Sequence, residues 1–311
     1  MAEAKPEQYV SEIASGTWRI DLGFKGVPEV IAAYLLAGDD SLALIETGPT
    51  TTLPALRQGI ATAGFSSADL TDVLVTHIHL DHSGGAGVLL REAPRARVWV
   101  HPIGAPHLVN PAKLLASAGR IYGDRMEELW GEVAPVPADR VSDLTDGATV
   151  STGGTVLTAL FTPGHASHHV VYWDAPSGTA YTGDVGGVRI PDSDYVCPPT
   201  PPPELDPAGW TESLERIQRL SARRLCLTHF GVFDDVARHL NQLASNLSSF
   251  LDIGEAAYQE GTSQEALTEH IHARMAEHVG GSEQVLAPLE LATPSYMAAM
   301  GLERWARKRD R

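Results

Sequence analysis

The sequence predicts an α/β protein, a strand-rich core with interleaved helices, followed by a segment that is helical throughout. Three observations carry this. Short apolar runs that stop at a polar residue with glycine nearby recur between Thr17 and Gly231, as buried strands ending in sharp turns do. Apolar residues at helical spacing fill several of the intervals between them. Beyond His229 the strand signals cease, and stretches of helical period take over, with Gly261 and Gly280-Gly281 as stops.

Residues 17–20, 30–36 and 41–45 read as antiparallel strands, with Asp39-Asp40 as a hairpin turn. Residues 53–63 form a helix. Residues 72–75 and 98–100 are strands, the second ending at His101-Pro102, where His101 is a loop residue behind a buried strand. Residues 103–136 form a helical insertion, either a wall of a substrate pocket or simply packed helices. Residues 157–161 are a strand running into the Pro163-Gly164 turn, and 179–181 and 224–227 are two more. The proline-dense stretch 185–206 is neither helix nor central strand. Residues 207–222 are an amphipathic helix with Trp210, Leu214, Ile217 and Leu220 on one stripe. Helices follow at 234–260, 263–279 and 294–309. His270, His272 and His278 read as parts of a solvated helix face.

The chemistry is concentrated in Thr76-His77-Ile78-His79-Leu80-Asp81-His82-Ser83-Gly84-Gly85. Three histidines and an aspartate occupy the six positions 77–82, directly after an apolar strand. Imidazole nitrogen and carboxylate oxygen suit zinc and other borderline divalent ions. Three later strand ends repeat the pattern of strand, ligand and glycine: His165 after Pro163-Gly164, Asp184 after Gly183, and His229 before Phe230-Gly231. Each alone is an ordinary turn or loop residue. Their joint order after the first cluster is what points to a metal site.

That order, His-x-His-x-Asp-His, then Pro-Gly-His, then Gly-Asp, then a late strand-end His, resembles the metallo-β-lactamase superfamily. Within it the chain is most similar to the glyoxalase-II-like and lactonase-like binuclear branch, over roughly residues 15–232. The resemblance implies a four-layer αββα sandwich with a two-metal site at one edge of the sheets. It implies a catalytic domain over 1–232 and a helical extension over 233–311. That extension packs on the domain and either helps select substrate or builds a homodimer. By the same likeness His77, His79 and His165 hold one metal, Asp81, His82 and His229 the other, and Asp184 bridges them opposite a hydroxide. Asp81 and Asp184 are then the catalytic carboxylates, Asp81 also orienting the hydroxide. The implied cofactors are two divalent ions, zinc first, with manganese or iron as alternatives. The implied reaction is attack of the hydroxide on the carbonyl of a small ester, thioester or lactone. Where the family often carries Asp-Thr-Gly, this chain has Glu46-Thr47-Gly48, so Glu46 is expected outside the ligand set, either as a carboxylate behind the ligands or as part of a strand-end turn. Thr76, Thr162 and Thr228 are candidates to hydrogen-bond groups behind the ligands. Tyr195 and Arg189, in the segment after Asp184, are the candidate substrate contacts.

Composition narrows the classes. The chain has 311 residues, 43% hydrophobic, and two cysteines, Cys197 and Cys226, too few for a disulfide framework. Residues 1–12 are polar and lack a signal core, and no apolar run approaches the roughly 20 residues that span a bilayer. A cytoplasmic enzyme acting on a small-molecule substrate, with no membrane or nucleic-acid partner, is the expectation. The net charge of −16 disfavours the nuclease and phosphodiesterase branch. The basic run Arg304 to Arg309, with Arg311 beyond, reads as the complement of a helix dipole. β-Lactamases of the superfamily typically lack the bridging carboxylate. A mononuclear iron persulfide dioxygenase, the alternative of another class, would leave Asp81, His82 and His229 without a use.

Overall fold

Where the chain can turn tightly its strands pair antiparallel, and where a helix intervenes they pair parallel. The computed structural model describes residues 9–309. The polar stretch 1–12 and Arg311 therefore lie partly or wholly outside the described residues. Strands β1 (Val10–Ala14), β2 (Thr17–Asp21), β3 (Ala32–Ala37) and β4 (Leu42–Ile45) are antiparallel neighbours in sequence order, and Asp39-Asp40 sits in the β3–β4 turn. Helix α1 (Leu53–Thr62) then leads to β5 (Asp72–Leu74), which lies parallel to β4. Helices α2 (Leu80–Ser83) and α3 (Ala86–Leu89) lead to β6 (Arg97–Val100), parallel to β5. The insertion supplies α4 (Ala105–Val109), α5 (Ala112–Tyr122) and α6 (Met126–Trp130) before β7 (Val141–Asp143), parallel to β6. The result is a seven-stranded sheet in sequence order. Every residue of β4 is buried, as expected of a strand covered on both faces.

Strands β8 (Thr149–Thr152), β9 (Thr155–Phe161) and β10 (Val170–Asp174) form an antiparallel meander. Its Gly153-Gly154 turn has φ of 58° and 75°, the pair of positive values a tight hairpin requires. The meander meets the larger sheet through Tyr172, whose hydroxyl donates to Val75 O at 2.9 Å, and through Val170 N–H, which donates to Thr76 O at 2.7 Å. These elements form one compact unit, which runs to Phe161 and takes in Val170–Ser177.

The second unit comprises Thr162–His169 and the chain from Gly178. Its strands β11 (Thr179–Tyr181) and β12 (Arg224–Leu227) are parallel, and β13 (Gly231–Phe233) is antiparallel to β12. Helix α7 (Pro207–Arg219) makes the β11–β12 crossover. It starts on Asp206, whose side chain accepts from Gly209 N–H, with Pro207 at the first helical position. Trp210, Leu214 and Ile217 are buried as the stripe predicts, and Leu220 is half-buried. Helices α8 (Val236–Glu260), α9 (Gln264–His278), α10 (Glu283–Ala292) and α11 (Ser295–Arg309) complete the unit, so the helices after residue 233 cluster with these three strands. Gly261, at φ 69°, caps α8. Among the described residues no helix is long and apolar enough to cross a membrane.

Both sulfurs are buried thiols, Cys226 within β12, as a core cysteine should be. The sequence reading names neither β10 nor α10. His270, His272 and His278 are exposed, as a solvated helix face requires, and one side of the His278 ring stacks on Tyr195, 4.5 Å between centroids and 5° from parallel.

A methyl group added at Gly38 would lie 2.3 Å from Gly154 N, backbone against backbone, where neither turn can yield. Gly38→Ala should therefore lower unfolding free energy by about 1–3 kcal/mol, the range for overpacking. Urea denaturation of both proteins checks this.

Candidate metal centre

The first ligand group hangs from the end of β5. After Leu74 the chain leaves the sheet, and His79 sits at the N-cap of the single-turn helix α2 with extended backbone (φ −60°, ψ 153°). That turn places Asp81 and His82 immediately behind His77 and His79. The rings of His77 and His82 are 4.0 Å apart, and those of His77 and His79 are 4.4 Å apart. His82 Nε2 lies 3.9 Å from Asp81 Oδ2. His79 and Asp81 are half-buried, while His77 and His82 are fully buried.

A carboxylate from the neighbouring strand fixes these rings. Glu46 follows β4 and is fully buried. It accepts from the Thr76 hydroxyl, from Thr76 N–H at 3.4 Å, and from His82 Nδ1–H at 3.0 Å. Because the Thr76 proton goes to Glu46, the Thr76 oxygen is an acceptor toward His77 Nδ1–H at 3.1 Å. Both histidines then carry their lone pair on Nε2, as metal ligands with a hydrogen-bonded second nitrogen do. The backbone locks the same turn: Thr47 N–H donates to His82 O at 2.8 Å, and Gly85 N–H to Gly48 O at 2.8 Å. Glu46 itself has φ 66°, a left-handed conformation costing about 1–3 kcal/mol in a non-glycine residue, typical of strain held at functional sites.

The second ligand group belongs to the other unit. His165 leaves the Pro163-Gly164 turn, and its Nδ1–H donates to Pro199 O at 2.9 Å, again leaving the lone pair on Nε2. That nitrogen is 3.3 Å from Asp184 Oδ2, and His229 Nε2 is 3.5 Å from Asp184 Oδ1. The two oxygens of Asp184 thus face two different imidazoles. Gly164, at φ 144°, has no room for a side chain, since a Cβ would fall 2.4 Å from Trp210 Cα.

Three residues pin the Asp184 turn, and sequence reasoning does not single them out for this. Trp210 Nε1–H donates to Val185 O at 2.9 Å, Val185 N–H donates to His169 Nε2 at 3.3 Å, and His239 Nε2–H donates to Gly186 O at 2.8 Å. His169 then donates from Nδ1 to the Thr162 hydroxyl at 2.9 Å, so Thr162 supports a histidine behind the turn. Among the described residues the buried His239 Nδ1 has no hydrogen-bond partner. Burial holds the His239 pKa down at about 4. Thr228 is buried next to His229.

The two candidate substrate contacts are buried against protein partners. Arg189 is buried and committed: it donates to Asp235 at 2.8 Å, Asp194 at 3.3 Å and Ser193 O at 3.1 Å, over the ring of Phe233. Its backbone N–H holds His229 O at 2.8 Å. Arg189 is a clamp on the His229 strand end. Tyr195 is buried between His278 and Cys197, its hydroxyl 3.7 Å from Cys197 Sγ. Burial pushes the Tyr195 phenol well up and the Cys197 thiol to about 12. His101, buried against Phe161 and accepting from Ile103 N–H, is the loop residue expected.

The residues fit divalent cations. Among the described residues, groups of three or more side chains able to hold a metal draw only on His77, His79, Asp81, His82, His165, Asp184 and His229. His77 Nε2 and His79 Nδ1 face each other at 2.9 Å, and the Asp184 oxygens face two imidazole nitrogens. His79 Nδ1–H can donate to the His77 Nε2 lone pair, while the buried Asp184 carboxylate, facing two imidazole nitrogens, marks a place where positive charge is favoured.

The residues and the fold define a class, the metal-dependent hydrolases of the metallo-β-lactamase superfamily. The family model of that superfamily matches residues 26–229, and the chain belongs to it. Metallo-beta-lactamase fold-containing protein ST1585 of Sulfurisphaera tokodaii is 28% identical over 250 residues, 78% of this chain and 90% of that protein. A hydroxyacylglutathione hydrolase of a Synechococcus species is 30% identical over 151 residues, 49% of this chain; the match spans about half of that enzyme, 47%. The crystal structure of the family protein TTHA1429 from Thermus thermophilus shares the fold with a TM-score of 0.67 and 21% identity, covering 96% of this chain and 95% of that one.

Two outcomes follow. Glu46→Gln keeps the size but loses the carboxylate that orients His82 and, through Thr76, His77; metal affinity should fall about 10–100-fold in chelator competition. The second concerns pH. His239 has its folded pKa below the unfolded value, so the unfolded chain takes up the proton first, and stability is lost as pH falls from about 6.5 toward about 4. His239→Gln should remove about 2–3 kcal/mol of the stability difference between pH 7 and pH 4.5, read from denaturation at the two pH values.

Proposed function

We propose that the chain is a binuclear metal-dependent hydrolase of small carbonyl substrates, a thioester first, with an ester or lactone as the next choices. The two ligand groups would act together: His77, His79 and His165 on one ion, Asp81, His82 and His229 on the other, and Asp184 on both. Zinc is the proposed ion, with manganese or iron as alternatives. The observation that carries the reading is Asp184, whose two oxygens face His165 and His229 separately, as a bridging carboxylate must. The hydroxyacylglutathione hydrolase among the relatives, a thioester hydrolase by its name, supports the choice of substrate.

When bound, two divalent ions supply a water of lowered pKa and electrostatic stabilisation of the developing oxyanion. The chain does the rest. Glu46 and Pro199 O hold the histidines in one tautomer, so no proton has to move before the ligands engage. Asp81, half-buried where most of the other ligands are fully buried, offers an oxygen to orient the attacking water and accept its proton. The clamp of Trp210, His169 and His239 keeps Asp184 in place, a positioning function whose loss costs rate without removing a ligand. Arg189 and Tyr195 have no place in substrate contact in this reading, because both are buried on other partners.

Asp184→Ala should lose both ions on dialysis and lower kcat/KM for an S-acyl glutathione by about 10³-fold or more, the equivalent of several kcal/mol. His229→Ala should lose one ion. Metal content by mass spectrometry, with hydrolysis of the thioester, a lactone, a phosphodiester and a cephalosporin, tests this. One iron per chain, with oxygen uptake on a persulfide and no hydrolysis, would overturn it.

A further inference from the structure

The basic run at the end of α11 does more than face a helix dipole. Arg304, Arg307 and Lys308 line a cleft of about 330 Å³ in the second unit, with Pro202 and Met300 as apolar walls and Glu303 as its single carboxylate. Arg307 pairs with Glu303. Arg304 Nε and Lys308 Nζ both donate to the one carbonyl of Pro203, at 3.3 and 3.2 Å, and among the described residues neither has a carboxylate partner. Three cations and one anion leave the lining at +2. A net positive lining runs against the balance of a chain with 39 acidic and 23 basic side chains. Several surface arginines find carboxylates, Arg57 with Glu92, Arg91 with Glu132, Arg238 with Asp194 and Arg309 with Glu255, while Arg95, Arg97 and Arg120 each bond singly to a neutral oxygen. Two cations gathered on one neutral oxygen repel each other, and an anion brought between them relieves that repulsion.

We propose that this cleft is a binding site for a phosphate-bearing ligand. Arg304 and Lys308 each use one donor on Pro203 O, and a guanidinium has five and an ammonium three, so donors remain for phosphate oxygens. The volume suits one or two phosphates with an apolar group against Pro202 and Met300. The phosphates come either from the thiol carrier of a thioester substrate or from a free nucleotide, and the structure favours the carrier. Pro199 O holds His165, and Pro203 O, four residues on, holds the two cations. Four extended residues span at most about 14 Å. A carrier arm of coenzyme A type, anchored by its phosphates in the cleft, has the length to cover that separation. This carrier assignment rests on the hydrolase reading; the anion site itself does not.

Calorimetric titration of the full-length, metal-loaded chain with adenosine 3′,5′-bisphosphate tests the site. Binding should weaken at least tenfold in Arg304→Ala/Lys308→Ala and with added salt. It should persist in Arg309→Ala, which changes the charge outside the cleft, and in Asp184→Ala, which separates it from capture by bound metal. No binding, or binding lost in Asp184→Ala and kept in the double variant, overturns the proposal. So does a requirement for a nucleic-acid strand in place of the mononucleotide. For the source, kcat/KM is measured for one acyl group on coenzyme A and on N-acetylcysteamine, which has no phosphate. A tenfold fall of the first relative to the second in the double variant supports the carrier. An unchanged ratio with lost bisphosphate binding overturns the carrier and leaves a free nucleotide. Absence of all thioester turnover with intact bisphosphate binding removes the thioester reading and the carrier while the site stands.

Discussion

The buried carboxylate of Glu46 is the fixed point of the first ligand group. One oxygen-bearing group at the end of β4 reaches the Thr76 hydroxyl, the Thr76 amide and the His82 ring. Through Thr76 it also sets the proton on His77. Two strands that are parallel neighbours, β4 and β5, thereby deliver a support and its ligands to the same sheet edge. The strained backbone at Glu46 is the cost of turning the carboxylate inward, and the amide bonds from Thr47 and Gly85 keep that turn from relaxing.

The second group reaches the same rigidity by other means. Asp184 lies in the single 3₁₀ turn Gly183–Gly186, in a connection of a kind that is ordinarily mobile. Here its neighbours' polar groups are taken up by rings: Val185 O by Trp210, Val185 N–H by His169, Gly186 O by His239. These rings come from α7, from the Thr162–His169 segment and from α8, so the turn is held from three directions inside one unit. The helices after residue 233 are therefore tied to the candidate chemistry through His239, although they contribute no ligand.

How much of this is legible in the sequence follows from the range of the interactions involved. The His77 to His82 cluster, His165, Asp184 and His229 announce themselves because a ligand at a strand end leaves a local pattern of apolar run, ligand and glycine. Glu46 is legible only as lying outside the ligand set, since a supporting carboxylate and a strand-end turn leave the same local pattern; its bonds to Thr76 and His82 decide between them. The clamp is not legible: His169, Trp210 and His239 look like core or loop residues, and only tertiary structure directs them at one turn. The partners of Arg189 and Tyr195, Asp235 and Phe233 for the one and His278 and Cys197 for the other, are likewise set by tertiary structure and leave no local pattern. β10 follows directly on the His168-His169 pair, which masks its onset. α10 contains Pro288, which argues against helix in a local reading but is tolerated in the folded chain.

The histidine tautomers join these pieces into one constraint. His82 gives its Nδ1 proton to a carboxylate, His77 to a hydroxyl and His165 to a peptide carbonyl, so in each unit these candidate ligands have their Nε2 lone pairs already set. His79 is the exception, presenting Nδ1 toward His77. Such preorganisation lowers the cost of binding a cation, because neither rotation of a ring nor relocation of a proton is needed. The two oxygens of the buried Asp184 face two imidazoles, so a cation held there would favour the folded chain, in which these groups are assembled, over the unfolded one, and would stabilise it by mass action.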